Sequence, residues 1–139
     1  MKTFCLALVS LLICQIAIAQ HQSHSATSKA LEVKPVLNAA LSDEALKGFN
    51  LESMTLKIPA GYADSVAHRH DADLFGYVTK GKVKIELENK GLKMYQEGEM
   101  FYEPRNTLHT RLENGDTQSP AEVLLIYVIK NGRSRYVKE

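Results

Sequence analysis

The chain has 139 residues, room for one domain, with 17 Lys and Arg against 16 Asp and Glu and a formal net charge of +1. Neither half is strongly basic and no RNP, helix-turn-helix or finger pattern occurs, so there is no electrostatic case for a nucleic-acid partner. The two cysteines, Cys5 and Cys14, both lie near the start, which leaves the rest of the chain without a disulfide or a thiolate metal site.

The opening "MKTFCLALVSLLICQIAIAQ" puts Lys2 ahead of an apolar run from Phe4 to Ile18. It ends in Ala17-Ile18-Ala19, a small-x-small cleavage site before Gln20, so residues 1–19 have the layout of a secretory signal peptide. Two alternatives stand beside it. An uncharged run of about 18 residues is at the lower limit for a membrane span. "LLIC" also resembles a lipoprotein site at Cys14, for which Ile13 is a poor preceding residue. The expectation is a secreted or periplasmic chain cleaved near Ala19-Gln20, free of cysteine and of membrane spans once mature. Removing Lys2 with the leader makes it formally neutral.

Residues 20–50 read as a lead-in. "QHQSHSATSK", with His21 and His24, is polar and small, as a disordered segment is. A short helical turn around Asp43 to Lys47, stopped by Gly48, or an edge strand can follow. From Leu51 the pattern turns to period two. "LESMTLKIP" sets Met54, Leu56 and Ile58 on one face and closes at Pro59-Ala60-Gly61. "LFGYVTKG" ends at Gly81, and "KVKIELEN" puts Val83, Ile85 and Leu87 inward against Lys84, Glu86 and Glu88 outward. Turns at Asn89-Lys90-Gly91 and Glu97-Gly98 bracket "LKMYQEGE". "MFYEP" stops at Pro104, "LHTRLEN" alternates again, and "AEVLLIYVIKNG" is apolar enough for a central strand. Residues 131–139, within "KNGRSRYVKE", are basic and read as a solvated tail or an interface strap. Seven or eight short strands with compact turns predict an all-β sandwich or barrel.

Chemistry is concentrated in "AHRHDADLFGYVTKG". In a strand, His68 and His70 point the same way, so both imidazoles can face one point, and Arg69 faces opposite. Imidazole nitrogens suit several first-row metals. Alone, such a pair is weak evidence for a metal and reads first as two surface histidines. The wider pattern is more specific: Gly61, then His68 and His70, an acid at Asp73, Tyr77-Val78 and Gly81, followed by Gly98, "EMFYE", Pro104, Asn106, His109 and Asn114. Asn106 tolerates the turn geometry that glycine adopts.

Over Leu51 to Ile129 this order of motifs resembles the cupin superfamily. The resemblance implies a double-stranded β-helix, a jelly-roll barrel over residues 51–130, with His68, His70 and His109 converging inside it as metal-binding and catalytic candidates. The usual acidic ligand falls seven residues before the closing glycine, where this chain has Leu74, with Asp73 one residue earlier. A one-residue shift turns a strand side chain to the other face. Two ligand sets therefore stand: three histidines with Asp73, or three histidines with water. Asp71 is a more remote acid. Tyr77 and Tyr102 flank the motifs and belong to the pocket, the core or the barrel surface. Arg111, two residues from His109, shares its face by alternation and could hold an anionic group; Glu103 reads as a rim or outer-face residue.

The resemblance implies either a metal-dependent enzyme of oxygenase, isomerase or lyase type acting on a small organic molecule, or a non-catalytic module that binds a small ligand or metal. The ion would be Fe, Mn, Zn or Ni. A metal-free acid–base pocket and a vestigial site are further readings. Single-domain cupins commonly pair, which implies a homodimer.

Overall fold

The computed structural model describes residues 30–139; the leader, His21 and His24 lie outside the described residues. The chain forms β1 (Glu32–Ala40), β2 (Phe49–Ile58), β3 (Ala63–Asp64), β4 (His68–Arg69), β5 (Asp73–Lys80) and β6 (Lys82–Leu87). It continues through β7 (Gly91–Gln96), β8 (Met100–Glu103), β9 (Leu108–Asn114), β10 (Ala121–Lys130) and β11 (Val137–Lys138). One sheet has the order β1-β2-β10-β5-β8 and the other β11-β4-β9-β6-β7, with β3 added to β9. All pairings are antiparallel. The architecture is the all-β double-stranded β-helix that the strand pattern and the motifs predict.

Alternation explains the layering. Met54, Leu56 and Ile58 on β2, Val83, Ile85 and Leu87 on β6, and Val123, Leu125, Tyr127 and Ile129 on β10 are buried at every second position. Each Val, Leu or Ile taken fully out of water contributes roughly 1.5–3 kcal/mol. β10 is the middle strand of its sheet, as its continuous apolar character requires.

The described part of the lead-in holds a strand and a short helical turn. β1 is an edge strand, which is where Pro35 can sit without costing a ladder bond, and its register shifts between Pro35 and Leu37. A single 3-10 turn, Glu44–Leu46, starts where the Asp43 carboxylate accepts from Ala45 N at 2.8 Å. The basic end is not a free tail: β11 pairs with β4, setting Val137 opposite Arg69 and Lys138 opposite His68.

Gly76 matters for packing. It lies across from Phe101 in the β5–β8 ladder, and a Cβ there would stand 1.9 Å from the Phe101 ring. Phe101 is buried against the core, so the ring has nowhere cheap to go. Gly76→Ala is expected to destabilise the fold by about 1–3 kcal/mol, read as a lowered urea midpoint; an unchanged midpoint would contradict this packing.

Asn114 closes the loop end of β9. Its side-chain amide donates to the carbonyls of Ile58, Pro59 and Ser119, and its Oδ1 accepts from Asp116 N at 2.8 Å. Asn106 has φ +63, the left-handed geometry that its place in the motif demands.

Candidate metal centre

The strand pairing of β4 with β9 sets His68 directly opposite His109. His70 follows β4, and its backbone carbonyl accepts from Asn106 N at 2.8 Å, so the turn after Pro104 holds the second histidine in place. The His68 ring centroid is 5.0 Å from that of His70 and 4.7 Å from that of His109. One ligand nitrogen from each of the three lies within 4.8 Å of the others. His70 and His109 are buried; His68 is half-buried.

Backbone carbonyls fix all three rings. His68 Nδ1 donates to Val66 O at 2.9 Å, His70 Nδ1 donates to Arg135 O, and His109 Nε2 donates to Arg111 O at 2.7 Å. A carbonyl can only accept, so each bonded nitrogen carries the proton. The opposite nitrogens, Nε2 of His68, Nε2 of His70 and Nδ1 of His109, keep their lone pairs. Orienting a histidine by its second nitrogen is how metal ligands are usually positioned.

The acid beside them is Glu103. It is 1% exposed, and its Oε2 lies 3.4 Å from His109 Nδ1 and 3.7 Å from His70 Nε2. Neither Glu103 Oε2 nor His109 Nδ1 makes a hydrogen bond. Two buried polar atoms left unpaired side by side are costly in any fold, and a divalent cation between them would satisfy both. Three imidazoles and one carboxylate also suit Fe, Mn, Ni and Zn by donor type.

Glu103 was legible only indirectly. In "MFYE", Phe101 is the obvious core residue, and alternation then turns Glu103 inward. Its ladder partner is Leu74, the position where the resemblance puts the usual acid. The carboxylate thus stands one strand over from its expected place, so the outer-face reading of Glu103 is corrected.

Other candidates lie elsewhere. Asp73 is in β5 with its side chain on the outer face, where Oδ1 accepts from Tyr102 Oη at 2.7 Å and from Arg105 N at 3.3 Å. It is not among the histidines. Asp71 pairs with Arg105 at 2.5 Å. Tyr77 and Tyr102 are exposed on that outer face, with Tyr102 stacked on Phe75. Arg111 does not share the face of His109, because a bulge at Thr110 sets Arg111 opposite Glu86 and His109 opposite Leu87. Arg111 instead pairs outward with Glu86 at 3.6 Å and Glu113 at 3.3 Å. Arg69 does point away from the histidines, to Glu139 at 2.5 Å and Glu88 at 3.6 Å.

Two features had no sequence signal. The C-terminal strap brings the Arg135 carbonyl to His70 and stacks Tyr136 on His68 at 4.5 Å. Asp64 turns inward at the cavity mouth, but both its oxygens are taken, Oδ1 by Val66 N and Oδ2 by Tyr62 Oη.

Burial lowers the pKa of His68 and of His70, outweighing their carbonyl partners. Burial also opposes protonation of His109, but there the adjacent Glu103 carboxylate wins and the pKa is raised. The consequences for stability have opposite signs. The His109 contribution is complete below the unfolded value of about 6.5 and is lost as pH rises through the folded pKa. Those of His68 and His70 are present above that value and lost as pH falls. In chelator-treated protein, His109→Gln is expected to lower Tm more at pH 6 than at pH 9. A difference that does not change with pH would contradict the Glu103–His109 coupling.

The chain is similar to solved structures by fold. An uncharacterized conserved protein with a double-stranded beta-helix domain from Klebsiella pneumoniae aligns at TM-score 0.61 and 11% identity, over 81% of this chain and 89% of that one. The DMSP lyase DddQ from Ruegeria pomeroyi aligns at TM-score 0.53 and 17% identity, over 60% of this chain. A mutant of Bacillus subtilis oxalate decarboxylase OxdC aligns at TM-score 0.54 and 19% identity, over 77% of this chain. This chain spans only 41% of the lyase and 30% of the decarboxylase. No curated protein matches it in sequence. The model of the Cupin domain matches residues 54–127, more than half of the chain, from within β2 to within β10 and including all three histidines, so this protein belongs to the cupin family.

Proposed function

We propose that the chain binds one divalent first-row metal ion through His68, His70 and His109, with Glu103 as the carboxylate of the set, and acts with it on a small organic molecule. The observation that carries this reading is the clustering of ligand nitrogens of three histidines within 4.8 Å of one another, two of them beside a buried carboxylate oxygen without a hydrogen bond. When bound, the metal would supply a Lewis acid with positions open to a substrate oxygen. The chain's own groups then orient and exchange protons. Glu103 Oε2 and His109 Nδ1, 3.4 Å apart, are taken up as ligands, which leaves proton donation to the neighbouring Tyr127. Tyr127, buried beside His70, has its pKa driven up by burial and then by Glu103, so it remains a phenol able to donate. Oxygenase, isomerase and lyase chemistry all fit such a set, and the lyase and decarboxylase resembled in fold are consistent with it.

The test is cobalt(II) added to chelator-treated protein. Visible d–d absorption that saturates near one equivalent, and that changes in Glu103→Gln, is expected. No absorption in the folded wild type would overturn the assignment. The alternative, a non-catalytic binding module, would be favoured if the metal-loaded protein bound small molecules without turning any over.

Export and a homodimer complete the proposal. Export rests on the pattern of residues 1–19 and is checked by N-terminal sequencing of the mature protein. The homodimer rests on the family resemblance and on exposed Val36 and Leu37 along edge strand β1, and is checked by sedimentation.

A further inference from the structure

The cavity that contains the histidines has a volume of about 180 Å³ and lies between the two sheets. Its polar groups are gathered at one end: the three histidines and Glu103, with Tyr127 and, at the mouth, Asp64 and Tyr136. Every other described lining residue is aliphatic or aromatic, among them Leu56, Leu74, Ile85, Phe101, Leu112 and Leu125. Among the described residues no Lys, Arg, Ser, Thr, Asn or Gln lines it.

The nearby arginines are committed elsewhere. Arg69, Arg105 and Arg111 pair with carboxylates on the outside, as described above. Arg133 pairs with Asp71 at 3.7 Å. Arg135 touches Met54 Sδ at 4.0 Å, yet its Nε is held by Glu52 at 3.3 Å.

This lining limits what can enter. A dicarboxylate could place one carboxylate at the histidines, but the other would lie against apolar walls with no cation to meet it. A sugar would bury several hydroxyls without partners. Both carry a desolvation penalty that the walls cannot offset. An apolar body loses nothing there. An apolar cavity of about 150 Å³ holds a benzene ring, so this one has room for one ring with a small head group.

The mouth agrees with this. Val33, Val66 and Tyr136 line the cavity and are 57%, 43% and 50% exposed. Exposed apolar side chains gathered at one opening are what an apolar ligand would cover.

We propose that the site takes a molecule with a compact apolar body, up to one ring in size, and a single oxygen-donor head group placed at His68, His70, His109 and Glu103. The head-group half of this inference rests on the metal reading above; the apolar-body half does not.

The experiment uses matched pairs on the full chain loaded with zinc. Cyclohexanecarboxylate is compared with glucuronate, and pentanoate with glutarate, by calorimetry, with metal content measured in each sample. The apolar acid of each pair is expected to bind more tightly by about ten-fold or more. Equal or tighter binding of glucuronate or glutarate would overturn the proposal. Leu112→Phe, which fills the cavity from a partly buried position, is expected to abolish binding of cyclohexanecarboxylate with metal content unchanged. If that variant does not fold, Val66→Asp at the exposed mouth replaces it, with a loss of about ten-fold expected. Retained affinity in the folded variant would place the ligand elsewhere and overturn the proposal.

If the protein takes up no zinc, the metal reading fails and the cavity is tested alone. Metal-free protein should then bind cyclohexanol over glucose, seen as chemical-shift changes of the cavity methyl groups. No preference for cyclohexanol would overturn the apolar-body inference as well.

Discussion

Changing His70 to alanine is expected to remove the bound metal while the fold persists. His70 contributes one of three converging nitrogens, and its ring is buried against Glu103 and Tyr127. Losing an outer-shell partner typically costs 10- to 100-fold in metal affinity, roughly; losing the ligand itself should cost more. His109→Ala should behave alike and also leaves Glu103 without its closest basic neighbour. A buried carboxylate deprived of its partner is destabilising, so His109→Ala is expected to unfold at lower denaturant than His70→Ala. Metal titration and urea unfolding on the same samples check both. Undiminished affinity in folded His70→Ala would remove this residue from the site.

Ending the chain after Gly132 is expected to have the second largest effect. β10 ends at Lys130, so the core strands are retained. What is lost is the strap: the Arg135 carbonyl that orients His70, the Tyr136 ring over His68, and β11 beside β4. Metal affinity should fall by about 10- to 100-fold, with far-UV circular dichroism little changed. Tyr136→Ala separates two roles of the strap. It keeps the backbone carbonyl in place, so affinity should stay near that of the parent, while the mouth widens and metal is released faster to a chelator. If the truncated chain binds metal as tightly as the whole one, the strap has no part in holding His70.

The fold was readable because its signals are local. Val83, Ile85 and Leu87 alternate without interruption, and Gly81, Gly98 and the Asn89-Lys90-Gly91 turn mark the corners. The three histidines were readable for a related reason. His68 and His70 share a face by spacing, and the residues from Gly98 to His109 form a turn whose geometry Asn106 meets with positive φ. What escaped depends on register between distant strands. Alternation with Phe101 turns Glu103 inward, but that it stands beside the histidines follows from its pairing with Leu74, a relation that no spacing within either segment contains. Arg111 left the site because one extra residue at Thr110 reverses the alternation, and nothing in "LHTRLEN" marks a bulge. The strap carries no hydrophobic period, since the two residues of β11 pair at a sheet edge and both stay exposed.

His68, His70, His109 and Glu103 are proposed to form one metal site. Elemental mass spectrometry on the tag-free wild-type chain, purified without chelator, tests it most directly. Close to one iron, manganese, nickel or zinc ion per chain is expected. A folded chain with no first-row metal, before or after reconstitution with each of these ions, would contradict it.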